Sequence, residues 1–137
     1  MEPQAQEKRI LVVDDEPHVQ EALRQLAAWG GFVADSASSG EEALARLAAQ
    51  RFDVVVTDNR MAGISGVELA KAIKARWPLL PVVMFTAYPP AETSDSIDLL
   101  LLKPTDGLIL IKSLKEMLHG TSGRNPSADP AGVKPVR

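Results

Sequence analysis

The sequence predicts one α/β domain in which a doubly wound parallel β-sheet carries helices on both faces. Short apolar runs of strand length alternate along the chain with amphipathic stretches of helix length. The clearest runs are apolar at every position, which is typical of parallel strands buried on both faces. At 137 residues, of which 45% are hydrophobic, the chain is large enough to bury one aliphatic core.

The strands are predicted from these runs and from the residues that end them. The first run, ILVV, stops abruptly at Asp14, and the strongest central run, VVV, leads into Thr57 and Asp58. The second strand has the weakest pattern. We predict strands at 10–13, 32–37, 53–58, 81–86 and 99–102.

The helices are predicted from their end signals. The first is expected to begin at Pro17, because proline suits the first position of a helix. Two capping boxes, Ser39 with Glu42 and Ser65 with Glu68, open the second and third helices. Apolar residues at helical spacing outline a last helix: Leu108, Ile111, Leu114 and Leu118.

Composition limits what the protein does and where it works. Residues 9–119 form the predicted domain, between a flexible leader at 1–8 and a flexible tail at 120–137 that is rich in Gly, Pro and Ser. A net charge of −3 argues against direct binding to nucleic acid. The chain has no Cys and no apolar run long enough to span a membrane, so we expect a cytoplasmic protein without membrane contact.

Each clear strand leads into a polar or charged residue. These residues are Asp14 and Asp15 after the first strand, Asp58 on the third, Thr86 on the fourth and Lys103 after the fifth. Because the carboxyl ends of parallel strands meet at one edge of a sheet, the five side chains are expected to lie together. Three carboxylates there need a cation, and oxygen ligands favour Mg²⁺. The set suits phosphoryl transfer, with Asp58 as the nucleophile.

Each of these residues also has a simpler explanation when it is taken alone. Asp14 and Asp15 suit a helix cap, and Asp58 suits a turn. Thr86 is an ordinary strand residue, and Lys103 is an ordinary solvated charge. Only their joint order along the chain favours a shared site.

The sequence resembles the response-regulator receiver domains of two-component signalling over about residues 8–119. The resemblance rests on four motifs in order: the acidic pair after LVV, VVVTD ending at Asp58, FTA with Thr86, and LLKP with Lys103. It implies a flavodoxin-like sheet of strand order 2-1-3-4-5. It also implies a phosphorylation-controlled switch that is not an enzyme in the ordinary sense, although it assists its own phosphotransfer and dephosphorylation.

The resemblance also implies partners. A sensor histidine kinase or a histidine phosphotransfer protein would supply the phosphoryl group, and an output protein that the sequence does not identify would bind the switched form. The domain would be a monomer or a weak homodimer.

Residue roles follow from the resemblance position by position. Asp15 would bind Mg²⁺ directly and Asp14 through water, with Asp58 and the backbone carbonyl of Arg60 completing the protein ligands. Asp58 would be the phospho-acceptor.

Other groups would act on the phosphoryl group itself. Lys103 would pair with it, and Thr86 would hydrogen-bond it. The bond between Lys103 and Pro104 would be cis. Arg60 and Tyr88 would occupy positions that tune its hydrolysis.

Three departures from the family pattern bear on the mechanism. Ala62 stands where proline is usual, and Leu100 stands where an aromatic residue normally moves together with the threonine. The interval from Thr86 to Lys103 is short and contains two consecutive prolines, which resist helix formation. We therefore expect the fourth helix to be short, displaced or disordered. We also expect the loop after Thr86, including Tyr88, to be the element that reorders.

Two other functions stay open at this point. The first is a receiver-like interaction module that works without phosphorylation. The second is a Mg²⁺-dependent phosphohydrolase of the haloacid-dehalogenase type. That enzyme would need a D-x-D arrangement on strand one, where this chain has Asp14, Asp15 and Glu16.

Overall fold

The computed structural model describes residues 7–92, 94–104 and 107–118. Within these residues the elements, in chain order, are β1 (Arg9–Val13), α1 (Pro17–Trp29), β2 (Val33–Ala37), α2 (Gly40–Ala49), β3 (Val54–Thr57), α3 (Gly66–Arg76), β4 (Val82–Thr86), β5 (Leu99–Leu102) and α4 (Gly107–Leu118). The predicted tail lies wholly outside the described residues, and so does the predicted leader except for residues 7 and 8.

The five strands form one sheet in the order β2-β1-β3-β4-β5, and every neighbouring pair is parallel. This confirms the predicted α/β class and strand order. The register places Val13 beside Thr57 and Thr86 beside Leu102, so the carboxyl ends of these strands lie at one edge.

The core has two halves, one on each face of the sheet. Leu11 and Val13 of β1 pack on the side of α2 and α3, whereas Ile10 and Val12 pack on the side of α1 and α4. All four side chains are at most 2% exposed. Burial on both faces explains why the strand sequences are apolar at consecutive positions.

The helix starts follow the predicted signals with one correction. At α3 the capping box is complete, because Ser65 and Glu68 each accept a hydrogen bond from the other's backbone N–H. At α2 only half of the predicted box forms. Ser39 accepts from the Glu42 N–H, but the Glu42 carboxylate reaches one residue further back, to the N–H of Ser38.

The predicted last helix forms as α4. Leu108, one of the four apolar residues that indicated it, is nevertheless 50% exposed. The buried residues of α4 are Leu110, Ile111 and Leu114. Four consecutive aliphatic residues open this helix, so periodicity alone did not identify the buried face.

No helix forms between β4 and β5 in the described residues 87–92 and 94–98. This agrees with the expectation that the helix of this interval is not a regular one. The side chain of Ile97 is only 7% exposed and packs into the α2–α3 half of the core. Among the described helices, none has the length and apolar character needed to cross a membrane.

Candidate functional site at the carboxyl edge of the sheet

Asp14 and Asp58 follow adjacent strands, and the sheet itself sets their positions. The Asp58 N–H donates to the carbonyl of Val13 across 3.0 Å, and the Asp14 N–H donates to the carbonyl of Ala37 across 3.1 Å. Asp14 is buried, Asp58 is partly buried and Asp15 is exposed. The two acidic strand ends therefore meet, as predicted.

The carboxylate of Asp58 is held through one of its two oxygens. The hydroxyl of Thr86, which is fully buried, donates to Oδ1 across 2.5 Å, and the N–H of Asn59 donates to the same oxygen across 2.7 Å. Within the described residues, Oδ2 has no hydrogen-bond partner. Oδ2 is therefore the oxygen that remains available to react.

Lys103 reaches the same edge but pairs with Asp14. Its Nζ lies 3.6 Å from Oδ2 of Asp14, in an ion pair whose side chains are 25% and 4% exposed. The N–H of Lys103 donates to the carbonyl of Thr86, which ties the end of β5 to β4. The bond to Pro104 is cis, as the resemblance implies.

The surroundings of Asp14 shift the pKa of its carboxyl group. Burial raises its pKa above the ordinary value of 3.8. The Glu16 N–H and the Lys103 ammonium oppose that shift, while the negative charges of Asp58 and Asp15 add to it. Burial is the main factor that disfavours the charged form of Asp14, and a cation bound at this edge would favour that form.

The donor set suits Mg²⁺ in kind, because its side-chain ligands all offer carboxylate oxygens, but Asp15 accepts a hydrogen bond from another group. Oδ2 of Asp15 accepts a hydrogen bond from the N–H of Ala62 across 3.2 Å. In the part of the chain that the structure describes, no three acidic, His or Cys side chains are gathered closely enough to hold a metal ion. A cation held by Asp14, Asp15 and Asp58 would compete with the Ala62 N–H for the carboxylate of Asp15.

Sequence analysis missed the role of Gly66 at the start of α3. Its N–H donates to the carbonyl of Asn59 across 2.8 Å. A Cβ at Gly66 would collide with the backbone carbonyl oxygen of Asp58 and would lie 2.9 Å from Cα of Asn59. Only glycine lets α3 begin so close behind the carboxylate.

Sequence analysis also missed two contacts made by the residues that follow Asp58. The side-chain Nδ2 of Asn59 donates to the carbonyl of Tyr88 across 2.9 Å. The guanidinium of Arg60 lies 4.3 Å from the centre of the Tyr88 ring. The resemblance had named Arg60 and Tyr88 for their positions beside the site, but no sequence pattern indicated that the two side chains touch or that Asn59 binds the Tyr88 carbonyl.

A sheet of this strand order with acidic, hydroxyl and ammonium groups at its carboxyl edge defines a receiver-type signalling domain. Residues 10–115 match the family described as response regulator receiver domain, and the chain belongs to that family. This confirms the resemblance drawn from the four sequence motifs.

Relatives and solved structures agree with this assignment. The transcriptional regulatory protein ZraR of Escherichia coli K12 is 40% identical over 119 residues, which cover 82% of this chain but only 26% of ZraR. A CheY-like receiver domain from Methanospirillum hungatei superposes with a TM-score of 0.78 at 26% identity, over 82% of this chain and 94% of that one.

The response regulator TrrA of Thermotoga maritima, solved in complex with Mg²⁺ and BeF, superposes with a TM-score of 0.76 at 35% identity. The match covers 81% of this chain and 99% of TrrA. A second structure holds TrrA in complex with the histidine kinase ThkA.

Proposed function

We propose that this receiver domain is a phosphorylation-controlled switch in which Asp58 accepts a phosphoryl group and the altered surface changes binding to an output protein. The observation that carries the proposal is the state of the Asp58 carboxylate. Oδ1 is occupied by the Thr86 hydroxyl and by a backbone N–H, whereas Oδ2 has no partner within the described residues. A carboxylate held at one oxygen and open at the other is oriented for nucleophilic attack.

The phosphoryl transfer forms one bond to phosphorus and breaks one. Oδ2 attacks the phosphorus of a phosphohistidine, the new O–P bond forms, and the N–P bond breaks with its electron pair left on the imidazole. Thr86 would donate to a phosphoryl oxygen, and Lys103 would move from Asp14 toward the new negative charge. Hydrolysis later breaks the O–P bond, releases inorganic phosphate and restores the carboxylate.

Asp14, Asp15, Asp58 and the carbonyl of Arg60 would hold Mg²⁺, which when bound would neutralise charge between the carboxylates and the phosphoryl oxygens. The placement of Asp14 supports this assignment, because the Asp58 N–H donates to the carbonyl of Val13, the residue directly before Asp14, and so brings the two acidic residues to one edge. The TrrA structure with Mg²⁺ and BeF supports the same cofactor for this family member.

The phosphoryl donor that we propose is a sensor histidine kinase or a histidine phosphotransfer protein. The complex of TrrA with the kinase ThkA supports this class of partner. The chain spans about a quarter of ZraR, so any output through a longer protein is part of the proposal.

Incubation with acetyl phosphate and Mg²⁺, followed by intact-mass measurement, tests the proposal. We expect the wild type to gain one phosphoryl group and Asp58→Asn to gain none. Omission of Mg²⁺ should abolish the gain in the wild type. A wild type that stays unmodified, or an Asp58→Asn variant that is modified equally, would contradict the proposal.

One observation favours a second candidate, an interaction module that works without phosphorylation. Without a helix between β4 and β5 in the described residues, Tyr88 and Leu102 are each about half exposed, at 54% and 49%. Apolar side chains in such positions suit contact with another protein. The test compares three proteins for binding to the output protein: the phosphorylated wild type, the unphosphorylated wild type and Asp58→Asn. If all three bind with the same affinity, this second function is correct.

A further inference from the structure

A closed ring of hydrogen bonds links Asp58 to the segment between β4 and β5. The Thr86 hydroxyl and the Asn59 N–H both donate to Oδ1 of Asp58. The N–H of Tyr88 donates to Oγ1 of Thr86 across 3.0 Å, and Nδ2 of Asn59 donates to the carbonyl of Tyr88 across 2.9 Å. The ring therefore holds Tyr88 by its N–H on one side and by its carbonyl on the other.

Asn59 is held in this ring through both of its backbone groups. Its N–H is bound to Asp58 and its carbonyl accepts from Gly66, so its backbone cannot shift without breaking both bonds. Its side-chain Oδ1 is buried and has no hydrogen-bond partner within the described residues. A buried acceptor left unsatisfied costs free energy, so the contribution of this side chain lies in its single bond to Tyr88.

In the family pattern an aromatic residue moves together with the threonine, and this chain lacks that aromatic residue. Leu100 stands where the resemblance places a mobile aromatic residue. It is partly buried, packs against the α2–α3 half of the core and carries no polar group. A change at Thr86 therefore needs another path, and the ring leads directly into the segment that has no helix.

We propose that Asn59 is a positioning residue that couples the segment between β4 and β5 to the state of Asp58. This inference rests on the proposed function of Asp58 as phospho-acceptor. When Asp58 becomes an acyl phosphate, the phosphoryl oxygens become stronger acceptors for Thr86 than Oδ1 is. Movement of Thr86 then pulls on the N–H of Tyr88, while Asn59 holds the carbonyl of Tyr88 in place. Residues 87–98 respond because Tyr88, near the start of this segment, is held by both its N–H and its carbonyl.

Hydrogen–deuterium exchange of residues 87–98 tests this role, with and without acetyl phosphate and Mg²⁺. In unlabelled Asn59→Leu, which matches asparagine in size but cannot donate, we expect this segment to exchange roughly two- to tenfold faster than in the wild type. Labelling should change exchange of the segment in the wild type, and this change should be lost in Asn59→Leu. Glu92→Leu is the matched control, because it places leucine in the same segment at an exposed position outside the ring and should retain the response to labelling.

The outcomes separate this inference from the proposed function. If the wild type is never labelled, the proposed function fails, and the comparison of unlabelled proteins alone decides the role of Asn59. If Asn59→Leu is labelled and its segment responds like the wild type, the coupling role is wrong while the proposed function stands. Asn59→Ala, which also lacks a side-chain donor, serves as a second variant if Asn59→Leu does not fold, with the same expected results. Unchanged exchange of the segment in the unlabelled variant overturns the inference in every case.

Discussion

The backbone N–H of Ala62 donates a hydrogen bond to Oδ2 of Asp15 across 3.2 Å. The family pattern has proline at this position, and proline has no N–H to donate. The substitution of alanine for proline therefore does more than relax the loop after β3. It engages a carboxylate that the proposed Mg²⁺ site requires.

Ala62→Pro is expected to tighten Mg²⁺ binding, because it removes the donor that competes with the ion for Asp15. A hydrogen bond of this kind contributes about 0.5–1.5 kcal/mol, so the Kd should fall roughly two- to tenfold. Isothermal titration with Mg²⁺ measures this change. Ala62→Ser keeps the N–H and should leave the Kd unchanged, whereas weaker binding by Ala62→Pro would contradict the explanation.

The buried carboxyl group of Asp14 predicts a pH-dependent stability of the metal-free protein. Its pKa is raised in the fold, mainly by burial, so the folded state holds its proton more tightly than the unfolded chain does. The contribution of this group to stability is therefore fully present below pH 3.8, the ordinary value, and is lost as the pH rises through the raised pKa.

Asp14→Asn should remove the loss of stability that the wild type shows as the pH rises. Asparagine is neutral, and its Oδ1 can still accept from the Glu16 N–H. In metal-free buffer at pH 7 we expect a higher urea midpoint than in the wild type, with the difference shrinking toward pH 4. The exposed Asp15→Asn is the matched control and should change the midpoint little. A lower midpoint for Asp14→Asn at pH 7 would show that its ion pair with Lys103 outweighs the cost of burial.

The strands and the meeting of two acidic residues could be predicted from the sequence. The strands were predicted to within a residue or so at each end, because burial on both faces demands consecutive apolar residues. The meeting of Asp14 and Asp58 followed from the parallel sheet, since the residues after adjacent strands must share an edge. Both predictions rest on backbone geometry alone.

The contacts that were not predicted depend on the path of loops and the reach of side chains. Asn59 and Tyr88 are 29 positions apart, and Ala62 and Asp15 are 47 apart. No local pattern marks either pair. The pairing of Lys103 with Asp14 was missed for a similar reason, because strand order places the ammonium at the edge without choosing its carboxylate.

The stacked pair of Arg60 and Tyr88 predicts a slow loss of the phosphoryl group. The two side chains stand two positions after Asp58 and Thr86 and lie against each other, with the guanidinium 4.3 Å from the ring centre. We expect such a pair to restrict the approach of water to the acceptor, and its contact contributes about 0.5–1 kcal/mol at an exposed site.

We expect Arg60→Ala and Tyr88→Ala each to shorten the lifetime of the phosphorylated form by about two- to fivefold, in line with the loss of that contact. Decay of the labelled species, followed by intact mass, measures the lifetime. The double variant should lose no more than either single variant, because both remove the same contact. Additive effects would show that the two residues act separately.

Lys74 stabilises the end of the segment between β4 and β5. Its Nζ lies 2.8 Å from Oδ2 of Asp98 and donates to the carbonyl of Leu80 at the same distance. Oδ2 of Asp98 also accepts from the N–H of Val82, across 2.7 Å. One ammonium and one carboxylate thus join the end of α3, the start of β4 and the entry to β5, next to the segment in which the described residues form no helix.

Lys74→Met is expected to lower the free energy of unfolding by about 1–3 kcal/mol, because it removes two hydrogen bonds and leaves the partly buried Asp98 without its cation. Urea unfolding measures the loss. Lys71→Met, an exposed lysine one turn earlier on α3, is the matched control and should change stability by less than about 0.5 kcal/mol. Because Asp98 ends the segment that Asn59 holds at Tyr88, Lys74→Met should also speed amide exchange across residues 94–98. Equal stability of the two lysine variants would show that the segment keeps its place without this ion pair.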